Sequence, residues 1–220
     1  MNNLSTFSIV STLALFIILG FPVRAGAQTA DANAIIEKVS QQYKQWGGME
    51  IKFAANIRSE KNGISESFEG VIIMKSDKFV MNTPDMKIWF DGTTQWTYME
   101  RTKEVNVIKP SGDDLRLLNP MMLLQDYKKD FNVSYIGEST SSNAKIAHDI
   151  ALTPKKKDDI EKIEMQIEKN TSLPAKLVVT MRNDIRSIVT IKDIKSANPQ
   201  DKTFAFPASD YPGVEIIDQR

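Results

Sequence analysis

The chain has 220 residues, 28 basic and 28 acidic side chains, a single histidine and no cysteine. The even balance gives no field to draw nucleic acid or an anionic membrane surface, and the lack of cysteine excludes disulfides, thiolate chemistry and attachment to a lipid through an N-terminal cysteine. The length suits one domain with a sizeable core.

Phe7 to Phe21 is apolar but for Ser8, Ser11, Thr12 and Gly20, Pro22 closes the run, and Ala25-Gly26-Ala27 has the small-x-small pattern that a signal peptidase cuts. This predicts a cleaved secretory leader over 1–27 and a soluble exported domain over 28–220. No lysine or arginine precedes the run, so its positive charge is the terminal amine alone. The rival, a retained anchor, needs about 20 apolar residues, longer than this run.

From Asp31, apolar residues Ile35, Ile36, Val39, Tyr43 and Trp46 recur at helical spacing until Gly47-Gly48 stops them, which predicts an opening amphipathic helix. Ile51, Phe53, Ala55 and Ile57 then alternate in a strand, and Asn62-Gly63 is the dipeptide of a tight hairpin. Short strands follow over 68–74, 78–82, 87–90, 95–99 and 105–108, separated by turn residues, and hairpin-length links imply an antiparallel meander.

Alternation fails in these strands. Val71, Ile72, Ile73 and Met74 run consecutively, as do Phe79, Val80 and Met81, then Ile88, Trp89 and Phe90 before the Asp91-Gly92 turn. A sheet with one wet face shows apolar residues at every second position, so these strands need apolar cover on both sides. One side is the protein's own core. The other cover is a helix, a second sheet, or a greasy ligand held in a curved sheet.

The meander breaks at 110–131. Asn119-Pro120 has the chemistry of a helix start, and Leu115, Leu117, Leu118, Met121, Met122, Leu123 and Leu124 make the insertion too apolar for a helix with a wet face. It is expected to lie across something greasy. Strands resume over 132–136, 146–152, 160–167, 176–181 and 188–194. Lys155-Lys156-Lys157 beside Asp158 and Asp159 reads as a solvated turn.

Catalysis finds little footing. His148 is the sole histidine, in the alternating strand Ile146-Ala147-His148-Asp149-Ile150, and zinc sites combine several His or Cys ligands. No spacing singles out a carboxylate pair for acid-base work. The expectation is a protein that binds without doing chemistry, with no cofactor and no metal.

Three features taken together resemble a known family. The turn Met74-Lys75-Ser76-Asp77-Lys78-Phe79 stands in register with Phe90-Asp91-Gly92 to Trp96-Thr97-Tyr98, Asn119-Pro120 follows, and Phe204-Ala205-Phe206 to Pro212-Gly213-Val214-Glu215-Ile216 closes the chain. In order and spacing these are similar to the LolA-type carriers of outer-membrane lipoproteins, over nearly all of 28–220.

The resemblance implies a mainly β fold with α-helices: an incomplete, half-open antiparallel β-barrel of about ten or eleven strands, covered by the N-terminal helix and a helical lid at about 110–131. It implies a hydrophobic cavity for acyl chains, with candidate contacts at Phe53, Val71, Ile73, Phe79, Met81, Trp89, Trp96, Leu118, Met121 and Met122. Methionine suits such a cavity, since an unbranched, polarizable side chain fits varied shapes. Known carriers place an arginine at the position of Lys75, where it latches the lid, and a proline after it; here Lys75 and Ser76 stand instead. Lysine keeps the charge but lacks the planar fork of donors.

The family has a soluble periplasmic carrier branch and a receptor branch that is itself a lipoprotein. The lack of cysteine implies the carrier. Its implied partners are acylated lipoproteins, an ATP-driven releasing complex in the inner membrane and an outer-membrane acceptor, met as a monomer in the periplasm. The alternative is a related open-barrel module that binds another lipid or amphiphile, or senses mislocalised lipoproteins.

Overall fold

The computed structural model describes residues 25–111, 115 and 127–220, with side chains from residue 32 onward. Most of the predicted leader, residues 1–24, lies outside the described residues.

Helix α1 (Ala25–Trp46) buries Ala32, Ile36, Val39 and Tyr43, one stripe at spacings of four, three and four. It stops where expected. Gly47 follows in the left-handed conformation (φ +69°), which ends a helix at no steric cost for glycine. Gly48 then passes close under its neighbours, for a Cβ there would lie 2.9 Å from the Ala197 carbonyl oxygen.

Eleven strands follow the meander read from the sequence, and a twelfth closes the chain. They are β1 (Met49–Ser59), β2 (Ile64–Lys75), β3 (Lys78–Asn82), β4 (Met86–Phe90), β5 (Gln95–Met99) and β6 (Glu104–Ile108), then β7 (Phe131–Thr140), β8 (Ile146–Pro154), β9 (Ile160–Glu168), β10 (Pro174–Met181), β11 (Arg186–Ser196) and β12 (Glu215–Asp218). All belong to one sheet in the order β12-β6-β5-β4-β3-β2-β1-β11-β10-β9-β8-β7. The sheet ends on β12 and β7 and does not close, which makes it a half-open barrel with twelve strands among the described residues, against the expected number of about ten or eleven. The extra strand, β12, is four residues long and mostly exposed, so it carries no alternation to read. It is also the exception to antiparallel order, pairing parallel with β6.

Register bends the sheet. At Lys52/Phe53 the pairing of β1 with β11 slips by one residue, and such a bulge adds local twist. A second slip lies at Tyr135/Gly137 in β7.

The inner face carries the main core. Ile51, Phe53 and Ala55 of β1, Ile72 and Met74 of β2, Ile150 and Leu152 of β8, and Ile163, Met165 and Ile167 of β9 join the buried stripe of α1 there. Of the apolar insertion, Leu115 is helical and buried in this core, and the short helix α2 (Tyr127–Asp130) ends it. The Tyr127 hydroxyl donates to the Asn33 carbonyl of α1 at 3.3 Å, and Lys128 pairs with Glu37.

The outer face of β3 to β6 has its own cover. Val80, Trp89, Tyr98, Val105 and Val107 lie beneath Phe204, with Phe206, Tyr211 and Val214 packed against them. The consecutive apolar runs thus serve two layers, core inside and the chain's own C-terminal segment outside. Among the described residues the outer cover is this segment, in which the short 3-10 turn Asp201–Phe204 places Phe204 on the sheet.

Candidate functional site

A cavity of about 300 Å³ opens on the inner face. Strand β1 contributes Ile51, Phe53, Ala55 and Ile57; β2 contributes Phe68, Ile72 and Met74; β3 and β4 contribute Met81, Met86 and Ile88. From the other wing come Met165, Pro174, Leu177, Ser187, Val189 and Ile191. Among the described residues, Ser187 is the single polar residue of the lining, and no ionisable side chain belongs to it.

The lining itself shows how far the sheet curls. Strands β4 and β9 stand six steps apart in the sheet order, about 29 Å across a flat sheet at the usual spacing, yet Ile88 and Met165 border one small cavity. A curled, open sheet with apolar walls results. It can hold an apolar ligand by burial alone.

Gly70 allows one wall to fold in. A Cβ at this position would lie 2.7 Å from Cζ of Phe53 and 2.9 Å from the Asn82 carbonyl oxygen, so the Phe53 ring fills the space above the glycine. Phe68 meets that ring edge-on at a centroid distance of 6.3 Å.

One end is tied by α1. The Tyr43 hydroxyl donates a 2.7 Å hydrogen bond to the carbonyl of Ser76, in the β2–β3 turn, where Ser76 is left-handed (φ 57°). Burial, and then the nearby Asp77 carboxylate, push the Tyr43 phenol up to about 12. It stays a neutral donor throughout the ordinary pH range.

The expected contacts divide by face. Phe53 and Met81 border the cavity. Phe79 is fully buried in the same inner core, its ring 5.6 Å from that of Phe90, without reaching the cavity wall. Val71, Ile73, Trp89 and Trp96 lie on the other side: Ile73, Val80, Trp89 and Trp96 stand opposite one another across β2 to β5, and Trp89 and Trp96 pack into the outer cluster. A strand residue one position off lies on the wrong face, and an unbroken run such as Val71–Met74 does not reveal which parity is inner. Leu118, Met121 and Met122 lie outside the described residues.

Lys75 also belongs to the outer side. Its Nζ donates to the Pro199 carbonyl at 3.3 Å and pairs with Asp201 at 3.1 Å, while Lys78 pairs with the other oxygen of Asp201 at 3.3 Å. With these contacts Lys75 holds the C-terminal segment; most of the lid that it was expected to latch lies outside the described residues. Those two lysines draw the Asp201 carboxyl below the usual carboxylate range.

Sequence reasoning missed most of the wall, including Ile72, Met74, Met86, Ile88 and Met165, and it missed Tyr43 as a tie. Strand β1 held the usable signal: its clean alternation marks Ile51, Phe53, Ala55 and Ile57 as one face, and pairing with β2 transfers that parity to Phe68, Ile72 and Met74.

The sequence profile of the family described as "Outer membrane lipoprotein carrier protein LolA" matches residues 24–184. The chain belongs to the LolA family. An uncharacterized protein of Methanocaldococcus jannaschii is 25% identical over 169 residues, which are 75% of this LolA-family chain and 49% of that protein. The chain therefore spans about half the length of that curated relative. Among solved structures, an uncharacterized conserved protein of Thermus thermophilus superposes with a TM-score of 0.53 at 10% identity, over 86% of this chain and 99% of that one, a likeness of fold. The LolA superfamily protein of Nitrosomonas europaea gives a TM-score of 0.46 at 12% identity, over 80% and 98%.

Proposed function

We propose that this LolA-family protein is a carrier that sequesters the acyl chains of lipoproteins in the inner-face cavity and ferries them through the periplasm, from a releasing complex in the inner membrane to an acceptor at the outer membrane. The observation that carries this reading is the wall itself: a curled sheet lined, among the described residues, by aliphatic, methionine and phenylalanine side chains without a charge.

The energetics call for such a wall. Exposing an acyl chain costs about 0.8 kcal/mol per methylene, on the order of 12 kcal/mol for a chain of roughly fifteen, so free diffusion through water is negligible. Release must follow, and that favours a forgiving grip over a rigid one. Met74, Met81, Met86 and Met165 supply it, since methionine repacks around ligands of differing shape. A volume of about 300 Å³ sits at the low end for ligand pockets, so further chains require the sheet to spread.

Mass spectrometry of the protein purified from its native compartment tests the reading. Co-eluting acylated peptides are expected, and depletion of the protein should strand lipoproteins in the inner membrane. A bound glycolipid or pigment with normal lipoprotein sorting would instead assign the cavity to another amphiphile.

A further inference from the structure

Among the described residues, one buried side-chain atom lacks any hydrogen-bond partner: the amide oxygen Oε1 of Gln95. Gln95 is 6% exposed, and its other end is spoken for, because Nε2 donates to Oγ1 of Thr97 at 3.1 Å. A buried acceptor without a donor is costly, and in a native fold it marks either strain or a missing partner.

Its position bears on what that partner is. Ile88, in the cavity wall, stands directly opposite Thr97, and Thr97 stands opposite Asn106. Gln95 stands directly opposite Phe90, at the end of the row Met74, Phe79 and Phe90, and is the diagonal neighbour of Ile88, roughly 7–8 Å away by sheet geometry. Counted outward from the cavity, the inner-face row passes from Met81 and Ile88 to Thr97 and Asn106, so an apolar wall gives way to a polar border. Gln95 and Thr97 form that border's bonded pair, with one acceptor left open.

We propose that Gln95, held by Thr97, is the polar end of the ligand site and accepts a hydrogen bond from the amide N–H that joins an acyl chain to its head group. The proposal rests on the carrier reading and adds selectivity to it. A free fatty acid at neutral pH brings a carboxylate, which offers no donor and is repelled by a carbonyl oxygen; an ester brings no donor either. An N-acyl amide brings one. The cavity thus holds any chain by burial, while Gln95 distinguishes amide-linked chains from the rest.

The test compares N-methylhexadecanamide with methyl hexadecanoate, which differ in one N–H replaced by oxygen, as competitors for a fluorescent fatty acid on the delipidated protein. The wild-type chain should bind the amide roughly five- to tenfold more tightly, the scale of one hydrogen bond to a buried acceptor. In Gln95→Leu that preference should vanish while ester binding persists, which also shows that the variant is folded. N-hexadecanoyl-seryl-serinamide and N-hexadecanoylethanolamine then distinguish an acyl peptide from an acyl lipid as the source; either one favoured over the ester, in a Gln95-dependent way, supports the proposal. Equal binding of amide and ester by the wild type overturns it and leaves the carrier reading standing. A preference that survives in Gln95→Leu overturns it too, and failure to bind either probe removes both readings.

Discussion

Tyr43 of helix α1 and Ser76 of the β2–β3 turn are joined by a 2.7 Å hydrogen bond from phenol to carbonyl, which ties the helix to the end of the sheet where Met49 and Met74 pair. The bond crosses 33 positions in sequence, so it contributes to how the helix stands over the inner face.

Tyr43→Phe should therefore cost about 0.5–1.5 kcal/mol, the net worth of one hydrogen bond, since water can reach the carbonyl of the exposed Ser76, and urea unfolding would show the loss. The pH dependence has a definite sign. The Tyr43 phenol is raised from its ordinary value of 10.0 to about 12 in the fold, so its contribution is complete below pH 10 and fades as pH rises toward 12. Over that window the wild type should lose stability more steeply than Tyr43→Phe. Parallel curves would deny the tie.

Gly70 is a tightly packed position behind the wall residue Phe53. Gly70→Ala places a methyl group 2.7 Å from the Phe53 ring and 2.9 Å from a backbone oxygen that cannot turn away. The expected cost is about 1–3 kcal/mol, as for other overpacked sites, with weaker uptake of a fluorescent fatty acid because Phe53 is pushed into the cavity. Unchanged uptake and stability would mean that the two strands separate freely there.

The outer cluster predicts a contrast between grease and charge. Phe204 is fully buried over Trp89 and its neighbours, so Phe204→Ala should cost about 3–5 kcal/mol in denaturant unfolding. Lys75→Leu removes an ion pair to a mostly exposed carboxylate, and exposed pairs contribute little. Its expected signature is a weaker salt dependence of stability with Trp89 fluorescence unaltered. The Asp201 carboxyl lies below its ordinary value, so what this pair adds is present at neutral pH and lost as acid protonates it. A large loss of stability in Lys75→Leu would show that charge, not burial, holds the segment.

Much of this fold can be read from the chain because its punctuation is local. Gly47 ends α1, Asn62-Gly63 turns β1 into β2, and Asp91 Oδ1 accepts from the backbone of Thr93 and Thr94 to turn β4 into β5. Faces were harder. Val71–Met74 and Ile88–Phe90 are apolar at every position because both sides are covered, so parity is decided by β1 pairing and by where Phe204 and Tyr211 land, more than a hundred positions away. The same distance hides the role of Lys75, whose partner Asp201 stands 126 residues on. Tyr43 reads as one more apolar residue of a helical stripe, and nothing nearby announces its bond to Ser76.

The central claim is that acyl chains enter the inner face of the curled sheet. Photolysis of the protein with a hexadecanoyl probe bearing a diazirine on its chain, followed by peptide mass spectrometry, tests it most directly. Labels are predicted at Phe53, Met81, Ile88 and Met165 and displaced by excess unlabelled lipid. Labels confined to Trp89, Trp96 or other outer-face residues, or none that unlabelled lipid displaces, would contradict it.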